Sequence, residues 1–216
     1  MKMSLGVEWK RYEQLQKERP GEFEDNGEIH IVTDPELVED FEERTGRKIG
    51  VVYESDYSIM LVDLVYESEK NYFAYERLIP AVEKGAVVIV PIHEGRFVLL
   101  HQYRHAMRGY QYAFPRGFGE TGISAEENVK KEIWEELGGK AECVRYLGKI
   151  VANSGISGEQ VNVYTCTLEN YFAKKEYEGI QEVVELEPNE MKNWIAENRI
   201  NDGFTLAAYS LWKQKA

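Results

Sequence analysis

The feature that most constrains this chain is the stretch from Gly117 to Gly139, with the sequence GFGETGISAEENVKKEIWEELGG. Its glycine-rich start predicts a loop, and Ser124 is a good N-cap for a helix that follows. Apolar residues then recur every four positions, which is typical of an amphipathic helix; they are Ala125, Val129, Ile133 and Leu137. The stretch therefore predicts a loop followed by a helix with one apolar face.

This helix also carries three carboxylates, Glu132, Glu135 and Glu136. At about 100° per residue, Glu132 and Glu136 fall along one edge of the apolar face, and Glu135 lies further out. Like charges four residues apart repel, so a cation should compensate them. Clustered carboxylate oxygens suit Mg²⁺ or Mn²⁺. A solvated acidic face is the alternative, above all for Glu135, because Lys131 one turn earlier could pair with it.

The pattern resembles the Nudix box, G-x5-E-x7-R-E-U-x-E-E-x-G-U, in which U is aliphatic. The matching residues are Gly117, Glu132, Ile133, Glu135, Glu136 and Gly138. Three positions depart. Ile123 stands for the first glutamate of the box, Lys131 for its arginine, and Gly139 for its final aliphatic residue, to which we attach no functional weight. In the family the first glutamate and the arginine of the box form a salt bridge that orients the loop and the helix. Changing both partners together leaves no unpaired charge behind.

The segment before the box resembles the ADP-ribose pyrophosphatase branch of that family, which typically shows QYR at a strand end followed by E-x-P-x-G. Here QYR ends at Arg104, and residues 113–117 read AFPRG. The resemblance extends over roughly residues 50 to 213. It implies an enzyme that hydrolyses a nucleoside diphosphate linked to another moiety, with ADP-ribose, cleaved to AMP and ribose 5-phosphate, as the leading substrate.

The resemblance also implies a metal site. Mg²⁺, with Mn²⁺ possible, is expected on Glu132 and Glu136, with Glu135 assisting and the main-chain carbonyl of Arg116 as a further ligand. Such a site neutralises the anionic oxygens that protect a pyrophosphate bond and helps to position water.

Other residues are candidates for catalysis and substrate binding. Glu159 lies where this branch carries a catalytic glutamate, and there it could deprotonate the attacking water, with Glu135 as a second catalytic candidate. An ordinary polar loop is the alternative for the glycine-bearing segment around Glu159. The candidates for substrate binding are Arg104, Arg108 and Glu120.

The expected fold class is α/β, a Nudix α/β/α sandwich around a mixed β-sheet, preceded by a β-rich appendage. We place the appendage at residues 1–80 and the Nudix hydrolase domain at residues 81–216. In the appendage, residues 8–19 and 34–46 read as helices, and residue patterns predict strands at 28–33, 50–55, 58–67 and 71–80, with a turn at 67–71. The resemblance implies that this part joins two subunits into a homodimer and helps to bind the adenosine end of the substrate.

The second part of the chain alternates strand and helix patterns. Strands are predicted at 85–91, 96–104, 142–152, 160–168 and 182–186, and helices at the box, at 188–198 and at the C-terminus.

Composition limits the other possibilities. The 216 residues carry a net charge of −12, which argues against a nucleic-acid partner. No apolar run approaches the length of about 18 residues that spans a membrane, and the N-terminus lacks the apolar core of a signal peptide, so we expect a cytoplasmic protein without a membrane partner. Cys143 and Cys166 are expected to be free, buried thiols.

Two other functions stay open. The altered pair Ile123 and Lys131 favours a catalytically weak, Nudix-like module that binds or senses a nucleotide. Retention of every acid in the E-U-x-E-E segment of the box favours a hydrolase, whose substrate could also be another nucleoside diphosphate sugar or a dinucleotide. A protein that uses its acidic N-terminal helices only to dock a partner has little support.

Overall fold

The structure is a computed structural model that describes residues 5–25, 27–67, 71–172 and 179–215. The chain separates into two compact units. The N-terminal unit comprises residues 1–81 and 153–158, and the C-terminal unit comprises residues 82–152 and 159–216. None of the helices in the described ranges is both long and apolar enough to cross a membrane.

The N-terminal unit is a small antiparallel sheet covered by two helices. Its elements are α1 (Val7–Glu18), β1 (His30–Ile31), α2 (Pro35–Thr45), β2 (Gly50–Glu54), β3 (Ser58–Tyr66) and β4 (Tyr72–Pro80). Strand β3 pairs with β1, β2 and β4. Asp34 caps α2 by accepting the amide of Glu36, and Gly46 ends the helix at φ 71°. The core holds Tyr12 and Leu15 of α1 against Leu61 and Ile59 of the sheet.

The short segment 153–158 belongs to this unit through contacts with β4. The amide of Leu78 donates to the carbonyl of Ile156 at 2.7 Å. The hydroxyl of Tyr75 donates to the carbonyl of Gly155 at 2.9 Å. The segment thus extends the sheet edge of the N-terminal unit, although it lies far from β4 in the chain.

The C-terminal unit is built around a mixed sheet of seven strands. Its elements are β5 (Val87–His93), β6 (Arg96–Arg104), β7 (Gly109–Ala113), β8 (Arg116–Gly117), α3 (Ala125–Glu132), β9 (Ala141–Ile150), β10 (Val161–Leu168), β11 (Ile180–Leu186), α4 (Pro188–Ala196) and α5 (Gly203–Lys215). The main sheet runs β11-β6-β5-β10-β9, while β7 pairs with β6 and β8 pairs with β5. Only β5 and β10 run parallel among the described pairs.

Helices cover both faces of this sheet because its central strands are apolar on both sides. Val88 and Val90 pack with α4 and α5 in one core, which includes Met191 and Ala208. Val87 and Ile89 pack on the opposite face, against α3. The α/β/α sandwich predicted from the sequence is therefore confirmed.

Several local predictions differ from the structure. The strand expected at 28–33 shortens to His30–Ile31, and β7 and β8 were not expected. The box helix continues beyond α3 as a π-helical turn over Ile133–Leu137. The turn expected at 67–71 lies largely outside the described residues.

The two cysteines are free as expected, but Cys143 is exposed and only Cys166 is buried. The reason is a bulge where β9 slips its register against β10, because Cys143 has φ 47° there. The bulge turns this residue out of the alternation that a regular strand would impose.

Candidate active site

The box helix is fastened at its start and along its apolar face. The Ser124 hydroxyl accepts a hydrogen bond from the main-chain amide of Glu127 at 3.2 Å. The Glu127 carboxylate accepts one from the main-chain amide of Ser124 at 2.7 Å. Val129, Ile133 and Leu137 are fully buried on the sheet. This reciprocal cap and buried stripe set the orientation of the acidic edge of the helix.

Two carboxylates of that edge meet the short strand β8. Glu136 is only 1% exposed, and its Oε2 accepts the amide of Arg116 at 3.3 Å. Glu132 lies against Gly117, where a Cβ atom would overlap its carboxylate. Glycine at this position thus provides the space for Glu132. The sequence placed both acids beside the apolar face, and the structure brings both to adjacent residues of one strand.

Lys131 engages the other acids of the box. Its Nζ lies 2.7 Å from Glu120, 2.8 Å from Glu135 and 4.0 Å from Glu132. Burial lowers the pKa of Lys131, but hydrogen bonds with Glu120 and Glu135 outweigh this effect and hold the pKa above its ordinary value. Lys131 therefore pairs with Glu135, the alternative that the sequence left open, and also ties Glu120 of the loop to the helix.

Asn128 is a second connection between the helix and the loop, and it belongs to no motif that predicts a functional residue. Its side chain is fully buried, and its amide donates to the carbonyls of Gly85 at 3.0 Å and Phe118 at 2.7 Å. A Cβ atom on the next residue, Gly119, would overlap the carbonyl of Lys84. The loop is consequently held close to both the helix and the start of β5. A polar residue on the buried face of a helix was the signal that could have identified Asn128.

The oxygen atoms at β8 have the chemistry of a magnesium site. Among the described residues, no group of three or more His, Cys, Asp or Glu side chains is arranged to hold a metal ion. Glu132 and Glu136 nevertheless supply two carboxylates at adjacent residues, which is a donor set that Mg²⁺ accepts when water and substrate complete its shell. The residues present therefore fit the predicted metal.

A cavity of about 350 Å³ lies in the same unit. Its lining includes Arg104, Met107, Gln111, Arg116, Asp202 and Phe204. The Arg116 guanidinium lies 3.3 Å from Asp202 and 4.8 Å above the Phe204 ring. Two arginines and apolar side chains in one cavity can bind an anionic group together with a flat or apolar moiety.

Arg108 and Glu159 are the remaining predicted residues. Arg108 is exposed, with φ 57°, and its guanidinium lies 3.2 Å from the ring of His105. Glu159 is half-buried two residues before β10, and burial raises its pKa above the ordinary value. A carboxyl group with a raised pKa suits a general base that works near neutral pH.

Comparison with known proteins shows several relatives. A segment of 107 residues is 27% identical to the ADP compounds hydrolase NudE of Escherichia coli, covering 50% of this chain and 56% of the relative. A segment of 84 residues is 36% identical to the NAD-capped RNA hydrolase NudC of Mannheimia succiniciproducens, covering 37% of this chain and 29% of the relative. The ADP-sugar pyrophosphatase of Mus musculus is 32% identical over 88 residues, covering 38% of this chain and 40% of the relative. The matched segments thus span little more than half of these relatives at most.

A solved structure described as an ADP compounds hydrolase superposes with a TM-score of 0.66, covering 76% of this chain and 89% of that chain. At 21% identity this likeness shows a shared fold. Residues 83–207 match the NUDIX domain, more than half of the chain and all of the box. With the box, its fold and this match in agreement, the chain belongs to the Nudix hydrolase family.

Proposed function

We propose that this protein hydrolyses the pyrophosphate bond of a nucleoside diphosphate linked to another moiety, and that ADP-ribose, cleaved to AMP and ribose 5-phosphate, is its foremost substrate. The observation that carries the proposal is the meeting of Glu132 and Glu136 at β8 within the NUDIX domain. The names of the E. coli and mouse relatives, an ADP compounds hydrolase and an ADP-sugar pyrophosphatase, support a substrate that contains ADP.

The metal in this proposal is Mg²⁺, with Mn²⁺ as a substitute. The ligands that would hold it are the carboxylates of Glu132 and Glu136 and the main-chain carbonyl of Arg116. Glu135, which also pairs with Lys131, would assist them. When bound, the metal neutralises charge on the phosphate oxygens and lowers the barrier to attack at phosphorus. The chain contributes the rigid placement of the acids through the capped helix and the tied loop.

The proton in this reaction goes to Glu159. Water attacks one phosphorus, the bridging P–O bond breaks, and Glu159 accepts the proton that the water loses. Its raised pKa keeps the carboxylate basic enough for this transfer. Arg104 and Arg116 of the cavity bind the anionic diphosphate, and the exposed Arg108 adds positive charge.

The N-terminal unit has a separate role in the proposal. Tyr53 and Tyr57 expose most of their side chains, whereas Tyr66 packs with Tyr72 at 5.6 Å. Exposed aromatic rings can stack on an adenine base. We propose that this unit supports a homodimer and supplies such a ring to the substrate.

The test is release of AMP from ADP-ribose with and without Mg²⁺, measured beside a panel of nucleoside diphosphate sugars and dinucleotides. Cleavage of ADP-ribose that requires Mg²⁺ is the expected result. If another compound of the panel were cleaved faster than ADP-ribose, the proposed reaction would stand and that compound would replace ADP-ribose as the foremost substrate. Sedimentation of the same sample, with a dimer expected, tests the oligomeric state.

A nucleotide sensor is the second candidate, and the engagement of Glu135 and Glu120 by Lys131 favours it, because a cation already occupies part of the acidic cluster. A sensor would bind ADP-ribose tightly and release no AMP with any metal. That result would replace the hydrolase proposal.

A further inference from the structure

Asp202 stands at the start of α5 and is only 6% exposed. Its Oδ2 accepts two hydrogen bonds from Thr205, one from the amide at 2.9 Å and one from the hydroxyl at 2.7 Å. The Thr205 oxygen in turn accepts the amide of Phe114 at 2.9 Å. Asp202 thereby caps α5 and connects the helix start to the residues that lead into β8.

The other oxygen of Asp202 faces the cavity. Oδ1 accepts a hydrogen bond from Nη1 of Arg116 at 3.3 Å, and both side chains line the cavity. The Phe204 ring supports the same guanidinium from one side at 4.8 Å. Asp202 and Phe204 together restrict the directions in which the Arg116 side chain can point.

A helix cap alone does not require this arrangement. Asn or Ser caps a helix about as well as Asp and avoids the cost of a buried charge. The buried charge is compensated only because Asp202 is shared between the helix and the guanidinium. The main-chain amide of the same arginine meets Glu136, so one residue joins the cavity to the acidic pair.

We propose that Asp202 is a positioning residue that orients the Arg116 guanidinium for an anionic group of the substrate. This inference rests on the proposed function for the identity of the substrate. It assigns a role to a residue of the C-terminal helix that lies outside the box, 86 positions from Arg116 in the chain. Asp202 acts through Arg116 and need not touch the substrate itself.

The experiment compares wild-type protein with Asp202→Asn, Arg116→Met and the double variant. Asp202→Asn keeps a side-chain oxygen for the cap but removes the charge that holds the guanidinium. We measure kcat and KM for ADP-ribose with Mg²⁺, the Kd of ADP-ribose by calorimetry in EDTA, and the thermal midpoint. Asp34→Asn, which changes the exposed cap of α2, is the matched control for loss of a charged cap.

The expected result is a rise of roughly tenfold in KM and Kd for Asp202→Asn, with a smaller change in kcat, because a misplaced binding group weakens substrate contacts. In the Arg116→Met background, Asp202→Asn should add almost nothing to either constant. Asp34→Asn should leave KM and Kd unchanged.

Two outcomes would overturn the inference. One is a change in thermal midpoint alone, with KM and Kd as in the wild type. The other is a full effect of Asp202→Asn in the Arg116→Met background. If the wild type binds ADP-ribose without cleaving it, the proposed hydrolase function fails, but the Kd comparison still decides the role of Asp202. If the wild type neither binds nor cleaves ADP-ribose, both the proposed function and the role of Asp202 are rejected.

Discussion

Buried carboxylates occur in both compact units, and they have different partners. In the N-terminal unit, Asp63 is 2% exposed and accepts hydrogen bonds from the Tyr12 hydroxyl and from Nε of Arg77, the latter at 2.5 Å. In the C-terminal unit, Glu136 accepts a main-chain amide, and Glu132 lies at the neighbouring residue of the same strand. The first arrangement sets opposite charges against each other, and the second brings two carboxylates side by side, with Lys131 Nζ 4.0 Å from Glu132.

The pKa shifts in the first arrangement agree with this difference. Burial and the Asp63 charge both raise the pKa of the Tyr12 phenol. Burial lowers the pKa of Arg77, but Asp63 outweighs it, so the pKa rises above its ordinary value. Breaking the buried pair should therefore be costly to the N-terminal unit, whereas two carboxylates side by side are suited to binding a cation.

The largest effect should come from Glu136→Gln. Removing one charge of the acidic pair should lower kcat by roughly 10³-fold, as expected for a preorganised electrostatic group at a reacting centre. Thermal unfolding should show an intact fold, because the amide side chain can still accept the amide of Arg116. Glu126→Gln is the control, since Glu126 is exposed on the same helix and pairs with Lys130 at 3.0 Å. Unchanged turnover in Glu136→Gln would remove the metal-site assignment.

The next largest effect should come from Asp63→Asn in the N-terminal unit. The substitution removes the buried charge that Tyr12 and Arg77 share and leaves Arg77 only Glu22 as an ion-pair partner among the described residues, at 3.2 Å. It should lower the free energy of unfolding by about 3 kcal/mol, measured by urea titration. The exposed pair Asp40 and Arg44, 2.8 Å apart, offers the control Asp40→Asn, which should cost less than about 1 kcal/mol. If the two variants lost equal stability, the distinction between buried and exposed pairs would fail.

Glu159→Gln should lower kcat/KM by roughly 10²-fold, the usual contribution of a general base. In the wild type, kcat/KM should fall as pH drops through the raised pKa of Glu159, because only the ionised carboxylate accepts a proton. The variant should lose that acidic limb in a pH profile. A profile of the same shape in both proteins would exclude Glu159 as the base.

The same substitution has a stability effect of known sign. Because the pKa of Glu159 is raised in the folded state, its contribution to the free energy of unfolding is fully present at pH values below its ordinary pKa. That contribution is lost as the pH rises through the raised pKa. Glu159→Gln should therefore gain stability relative to the wild type as pH increases over that window. Thermal midpoints at a series of pH values measure the difference.

The smallest effect should come from restoring the pair of the family box with Ile123→Glu and Lys131→Arg. Lys131 already joins the loop to the helix through Glu120 at 2.7 Å, so one more ion pair should leave kcat/KM within roughly twofold of the wild type or above it. Lys131→Arg alone is the control. A large loss in the double variant would indicate that the departure from the box is an adaptation.

Much of the fold could be predicted because its signals are local. The Ser124 cap, the apolar stripe and the Gly46 helix end each depend on residues within about one helical turn, and all three occur in the structure. Strands β7 and β8 were missed because they are short and hold no long apolar alternation. The π-helical turn over Ile133–Leu137 was not predicted, because such turns are rare interruptions of α-helices.

The candidate site was predictable only in part. Glu132 and Glu136 could be named because a motif of fixed spacing carries them, and the family match covers that motif. Asn128 and Asp202 belong to no such motif, and each has a partner far away in the chain, 43 positions for Asn128 and 86 for Asp202. The exposure of Cys143 was also hidden, because it follows from a bulge between two strands.

By itself, then, the sequence determined the helices, most strands, the family and the acids of the box, since these follow from hydrophobic period, caps and residue spacing. Only the tertiary structure decided that Glu136 is buried at β8, that Lys131 joins Glu120 and Glu135, and that Asp202 holds Arg116. The physical reason is that hydrogen bonds and ion pairs between distant residues form only after the sheet and helices have packed, and packing is not encoded in any short segment.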